Sequence, residues 1–169
     1  MRPGGGKYKG HNFELKVAKL LSNWWGKKGS FQRTPLSGGW SKLSNASKDI
    51  ADRVRGDLIC PDKFPFFIEC KKDESFEFHL MLQDYNKSKF NTWWTTLIGK
   101  AKKTSYKPML IFSRDYWKIF VAIYKKDYDE LGIKNCCRFI FYSNKGEKIV
   151  IFPFDDFIKQ ALPDNIKII

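Results

Sequence analysis

The chain has 169 residues, and its 31 Lys and Arg against 18 Asp and Glu give a net charge of +13, with a pI near 9.6. That length suits one domain with a proper core rather than two, and the cationic excess favours a polyanionic partner, nucleic acid first. No run approaches the ~20 apolar residues of a membrane-spanning helix, and no basic amphipathic helix stands out, so a membrane partner is not expected.

The start, Met-Arg-Pro-Gly-Gly-Gly, lacks the apolar segment of a signal peptide. Cys60, Cys70, Cys136 and Cys137 form no CxxC, and only His11 and His79 accompany them. A zinc site is therefore not expected, and reduced thiols in a cytoplasmic setting are. Residues 1–10 carry Arg2, Lys7 and Lys9 and no acid, which reads either as a flexible basic arm for DNA or as a frayed terminus.

Asn12 is placed to cap a helix running to about Trp25, closed by Gly26 and the cationic Lys27-Lys28. Phe13, Val17, Leu20 and Trp24 recur at helical spacing, as do Glu14, Ala18, Leu21 and Trp25, so Glu14 lies at or beside the buried stripe and needs a cation or a donor there. A first strand is expected over Ser30 to Pro35. Leu36 to Arg55 follows as a polar, glycine-bearing loop with Lys42, Lys48, Arg53 and Arg55. In it, Ser37-Gly38-Gly39 can offer backbone N–H groups and a hydroxyl to a phosphate or form a plain turn, and Trp40 can stack on a base or anchor the loop.

From Gly56 to Lys71 the pattern predicts a hairpin: Asp57 to Cys60, a turn at Pro61-Asp62, and Phe66 to Lys71, with Pro65 just ahead of the second strand. Alternation puts Phe67, Glu69 and Lys71 on one face and Phe66, Ile68 and Cys70 on the other. Asp57 can bring a second carboxylate near Glu69. Two convergent carboxylates make a hard-oxygen site suited to Mg2+ or Mn2+, and an ammonium on the same strand can orient or deprotonate a water and steady charge on a phosphodiester under attack. The plain alternative is an acid and a Glu–Lys pair decorating an amphipathic hairpin.

Downstream, Glu77 to Tyr85 reads as a short helix covering the site or a partner subunit. Asn91 opens a firmer helix with Trp94, Leu97, Ile98 and Ala101 on one side and Lys100, Lys102 and Lys103 at its end, where they face DNA or water. Lys107 to Ser113 and Trp117 to Tyr124 read as strands joined at Arg114-Asp115. A second hairpin, Cys137 to Tyr142 and Lys148 to Phe152, turns at Asn144-Lys-Gly146, with a short helix from Asp155. There are no internal repeats and no glycine-rich P-loop, so nucleoside-triphosphate hydrolysis is not indicated.

With Gly56-Asp57 as the aspartate motif and Glu69-Cys70-Lys71 as ExK, the chain resembles the PD-(D/E)xK nuclease superfamily. Arg33-Thr-Pro-Leu-Ser37-Gly38-Gly39-Trp40 is similar to the Arg…Ser-Gly segment of Holliday-junction resolvases of the archaeal and phage type. Phe64 to Lys71, followed by the Trp93-Trp94 helix, is most similar to phage-encoded members. The resemblance spans about Lys9 to Tyr124, and its departure is Gly-Asp where the superfamily motif reads Pro-Asp.

The resemblance implies an α/β fold with a restriction-endonuclease-like core, a mixed central sheet flanked by helices, forming a nuclease domain over 11–169. It implies Mg2+, replaceable by Mn2+, held by Glu14, Asp57 and Glu69, with Lys71 and Ser37 completing the catalytic set. It places Arg33, Ser37, Lys42, Arg53, Arg55 and Lys72 at the DNA. The implied function is resolution of four-way junctions, in recombination and repair, by a homodimer that makes paired nicks. A duplex-specific restriction or repair nuclease on the same scaffold, and a non-catalytic DNA-binding module, are the alternatives.

Overall fold

A computed structural model of the chain describes residues 5–35, 53–143 and 145–166. Helix α1 (Gly5–Trp24) is followed by β1 (Gln32–Arg33), β2 (Val54–Arg55), β3 (Leu58–Ile59) and β4 (Phe66–Lys72). Then come α2 (Phe78–Gln83), a single 3-10 turn over Tyr85–Lys87, α3 (Lys89–Ala101), β5 (Lys107–Ser113) and β6 (Phe120–Tyr124). The chain continues with α4 (Lys125–Glu130), β7 (Phe139–Tyr142), β8 (Lys148–Pro153), α5 (Phe154–Gln160) and the short α6 (Pro163–Ile166).

The fold is α/β. Its main sheet has strand order β4-β5-β6-β8-β7, with β4 and β5 parallel and the other neighbours antiparallel, so it is mixed as expected. A parallel pair needs a crossover connection, and the segment from α2 through α3 supplies it. The alternation in β4 separates two cores. Phe66, Ile68 and Cys70 pack with Phe13, Val17 and Leu21 of α1 on one face, while Phe67 packs with Phe90, Trp94 and Leu97 of α3 on the other. Burial of such side chains, about 1.5–3 kcal/mol each, fixes the strand register and with it the direction of Glu69.

Several boundaries differ from the sequence reading. Helix α1 starts at Gly5, well before Asn12, so it takes in part of the stretch read as an arm. Lys9, in this early part, is ion-paired with Glu74 at 2.7 Å and Asp115 at 3.0 Å. The α3 cap is Ser88 rather than a later residue, its hydroxyl accepting from the Asn91 N–H at 3.2 Å. The helix α4 was not anticipated from the sequence. Its Asp127 is buried beside Lys107, at 3.1 Å.

The predicted hairpin is the main correction. Leu58–Ile59 does not pair with β4. It lies between β1 and β2 in a separate three-stranded antiparallel sheet, and it is coupled to β4 by one parallel bridge, Gly56 to Ile68. Gly56 has φ +81°, and a Cβ built on it would lie 2.0 Å from the Ile68 carbonyl oxygen. That backbone admits no side chain, and proline, locked near φ −65°, is excluded with the rest. The Gly-Asp departure from the Pro-Asp pattern is thus demanded by this geometry.

Candidate active site

Asp57 sits at the join of the two sheets, and its backbone is held from both sides. Its N–H donates to the Ile68 carbonyl at 2.9 Å, and its carbonyl accepts from the Thr34 N–H at 2.9 Å. The Thr34 hydroxyl also donates to the Gly56 carbonyl at 3.2 Å. So anchored, the Asp57 side chain turns towards β4, where its Oδ2 accepts the Cys70 N–H at 2.8 Å. The hairpin is gone, but the aspartate still meets the middle of the ExK strand.

Glu69 is almost fully buried, with a side-chain exposure of 3%. Lys71, from the same face of β4, donates to Glu69 Oε1 at 2.8 Å. Lys100, at the end of α3, spans both oxygens, 2.9 Å from Oε1 and 2.8 Å from Oε2. Lys100 is the site residue that sequence reading did not single out. Its signal was available, since it falls three residues after the buried Leu97 and so on the inner edge of the helix.

The two carboxylates are tuned apart. Burial, then the negative charge of Glu69, pushes the Asp57 carboxyl up to about 6, against the lowering effect of the Cys70 N–H. Burial pushes Glu69 upward too, but its bonds to Lys100 and Lys71 outweigh this and hold it below the usual range. Burial alone would lower Lys71, and the adjacent Glu69 reverses that and raises it. The result is a buried acidic pair whose members repel each other, with ammonium groups on one of them.

Glu14 reaches the same region from α1 and contributes to the raised pKa of Asp57. Its Oε2 is ion-paired with Arg33 Nε. Among the described residues no three His, Cys, Asp or Glu side chains stand close enough together to hold a metal ion. Glu14 is drawn onto Arg33 and Glu69 onto its two lysines, so the three acids expected to converge stand as the pair Asp57 and Glu69 with Glu14 beside it. A pair suffices for Mg2+, which keeps several waters and takes one or two carboxylates together with substrate phosphate oxygens. The donor set, all hard oxygen, fits that ion, and mutual repulsion of the carboxylates is the condition a cation relieves.

The residues expected at DNA are placed unevenly. Arg33 is held by Glu14 and also lines a groove of about 580 Å³ along α1, whose other cations are Lys19 and Lys28 and which has no acid among its lining residues. Lys72 is partly exposed and pairs with Asp115 at 3.0 Å. Arg53 donates to the Cys60 carbonyl at 3.0 Å. Arg55 corrects the expectation of an exposed loop cation: it is 1% exposed, stacks on Tyr106 at 3.9 Å and donates to the Asp62 carbonyl at 2.7 Å. Its position in β2 turns it into the interior. Ser37, Lys42 and Trp40 lie outside the described residues.

A family model described as "Phage putative PDDEXK endonuclease" matches residues 5–168 of the chain. No curated protein and no solved structure matches. Among the described residues no helix is long and apolar enough to cross a membrane.

Proposed function

Because the chain belongs to the phage PDDEXK endonuclease family, we propose that it is a Mg2+-dependent, structure-specific DNA endonuclease that resolves four-way junctions. One observation carries the catalytic part of this reading: Asp57 and Glu69 are buried side by side with the Lys71 ammonium 2.8 Å from Glu69. Asp57 and Glu69 would hold the divalent cation, with Glu14 as the acid nearest to join them once it leaves Arg33. When bound, the cation polarises the scissile phosphate and acidifies a water.

The chain's own groups do the rest. Lys71 orients the attacking water and offsets charge gathering on the non-bridging oxygens. A P–O bond forms to the water oxygen as the P–O bond to one deoxyribose oxygen breaks; the attacking water's proton goes to solvent, and the leaving alkoxide takes a proton from solvent. The Cys70 N–H and the Thr34 and Ile68 backbone bonds keep the Asp57 carboxylate aimed, so little reorganisation is needed at the moment of reaction.

Support for a DNA substrate is the net charge of +13 and the acid-free groove through Lys19, Lys28 and Arg33. Junction specificity and a homodimer with two sites rest on the resolvase-like Arg33 to Trp40 segment and on the need for paired nicks. By the same resemblance Ser37 and Lys42 would contact the substrate, and the setting is the cytoplasm, that of the host for a phage-encoded protein. The test is competition: a labelled four-way junction is incubated with Mg2+ and an excess of unlabelled junction, linear duplex or single strand. The reading expects only unlabelled junction to suppress cleavage efficiently and the products to be paired nicks. Equal suppression by linear duplex would leave a general duplex nuclease.

A further inference from the structure

Lys100 has a geometry that simple surface charge does not account for. Lys71 touches one oxygen of Glu69 from within its own strand, whereas Lys100 reaches across from α3 and spans both, at 2.9 and 2.8 Å. The Glu69 side chain is 3% exposed and that of Lys100 is 48% exposed. The ammonium therefore stands between a buried carboxylate and solvent, on the oxygens with which that carboxylate would meet an incoming cation.

We propose that Lys100 occupies the cation's place on Glu69 in the free protein, and that it gives up that place far more readily when a substrate phosphate offers it another anion. The inference rests on the metal-dependent reading of the Asp57 and Glu69 pair. A divalent cation arriving alone must take Oε2 from Lys100 and leave that ammonium without a partner. A phosphodiester arriving at the same mouth accepts the ammonium, whose flexible stem and three donors suit such a transfer, and thereby uncovers Glu69. Metal and DNA then strengthen each other's binding. By linkage the coupling is reciprocal, and couplings of this type are typically about 5–150-fold. Lys100 is a positioning and coupling residue in this scheme, and Lys71 keeps the role at the water.

The test is Mn2+ binding by the full chain without DNA, read as free Mn2+ by electron paramagnetic resonance. Wild type is compared with Lys100→Met, which keeps the stem, and with Lys100→Gln as a second variant whose fold is checked by thermal melting. Lys102→Met, on the same helix end with no bond to Glu69, is the control. Lys100→Met should bind Mn2+ about 10-fold tighter than wild type, within the usual range of such couplings, and Lys102→Met should not differ. A four-way junction, added in a Lys71→Ala background where cleavage is slowed, should tighten Mn2+ binding when Lys100 is intact and add little when Lys100→Met is also present. Binding by Lys100→Met and Lys100→Gln that is no tighter than wild type, while Glu69→Gln abolishes it, overturns the inference alone. No Mn2+ binding by any of these proteins overturns the inference together with the metal site.

Discussion

Substituting Gly56 by alanine tests the join on which the aspartate is mounted. The added Cβ would sit 2.0 Å from the Ile68 carbonyl oxygen and 2.9 Å from the Phe67 ring, at a backbone φ of +81°. An L-residue in that region costs about 1–2 kcal/mol. Relief of the clash requires the Gly56–Ile68 bridge to open, which breaks the buried bond from the Asp57 N–H to the Ile68 carbonyl and costs about 1–3 kcal/mol more. A loss of about 3 kcal/mol in a chain of this size lowers Tm by roughly 10 °C. The assay is thermal unfolding followed by circular dichroism in the presence of a chelator. Gly56→Pro should fare no better than Gly56→Ala, since its φ is fixed on the wrong side. A Tm within about 2 °C of wild type for either variant would refute the reasoning, and with it the explanation of why the motif here reads Gly-Asp.

Asp57→Asn should stabilise the metal-free protein at neutral pH. The folded carboxyl, raised to about 6 by burial and by Glu69, keeps a proton that the unfolded chain gives up near 3.8, so stability falls as pH rises between those values and stays lowered above them. The gain at pH 7.5 in chelator should be up to about 3 kcal/mol and shrink towards zero near pH 4; denaturant melts at both pH values check it, and equal gaps would contradict it. Lys71→Ala should lower the cleavage rate by about 10²-fold or more while Mn2+ still binds, whereas loss of Mn2+ binding would make Lys71 a support for the site rather than a participant. DNA affinity should fall steeply with salt, and Arg33→Ala should reduce the log–log slope by about one if Arg33 meets a phosphate. Arg55→Met should leave that slope unchanged and alter stability instead, because Arg55 is stacked on Tyr106 inside the protein; a reduced slope would place it at DNA after all.

The parts of the fold legible in the sequence were those written in local periodicity. The two faces of β4 rest on side-chain alternation, the strand Lys107–Ser113 on an unbroken apolar run, the β7–β8 hairpin on its turn sequence and the stripe of α3 on helical spacing, and the structure has them. What was not legible depends on partners distant in sequence. The short Leu58–Ile59 segment has too few residues to declare its neighbour, and it chose Gln32–Arg33 and Val54–Arg55 over Phe66–Lys72. Arg55 looked like a loop cation because nothing near it in the chain announces Tyr106 as its cover.

At the site, strand alternation and motif spacing pointed to Asp57, Glu69 and Lys71, and these three are brought together. The pairings around them were hidden. Glu14 found its cation in Arg33, and Glu69 acquired Lys100 from a helix whose basic end read as surface charge.

The central claim is that the acidic pair on β4 and at the sheet join is a metal-dependent phosphodiesterase site. Its most direct measurement is nicking of a synthetic four-way junction by wild type, Asp57→Asn and Glu69→Gln, each shown to be folded, in Mg2+ and again in chelator. The account predicts cleavage by wild type in Mg2+ alone and none by either variant, with junction binding retained by all three because the cationic surface is unchanged. Full cleavage by a folded Asp57→Asn protein, or cleavage by wild type that persists in chelator, would contradict it.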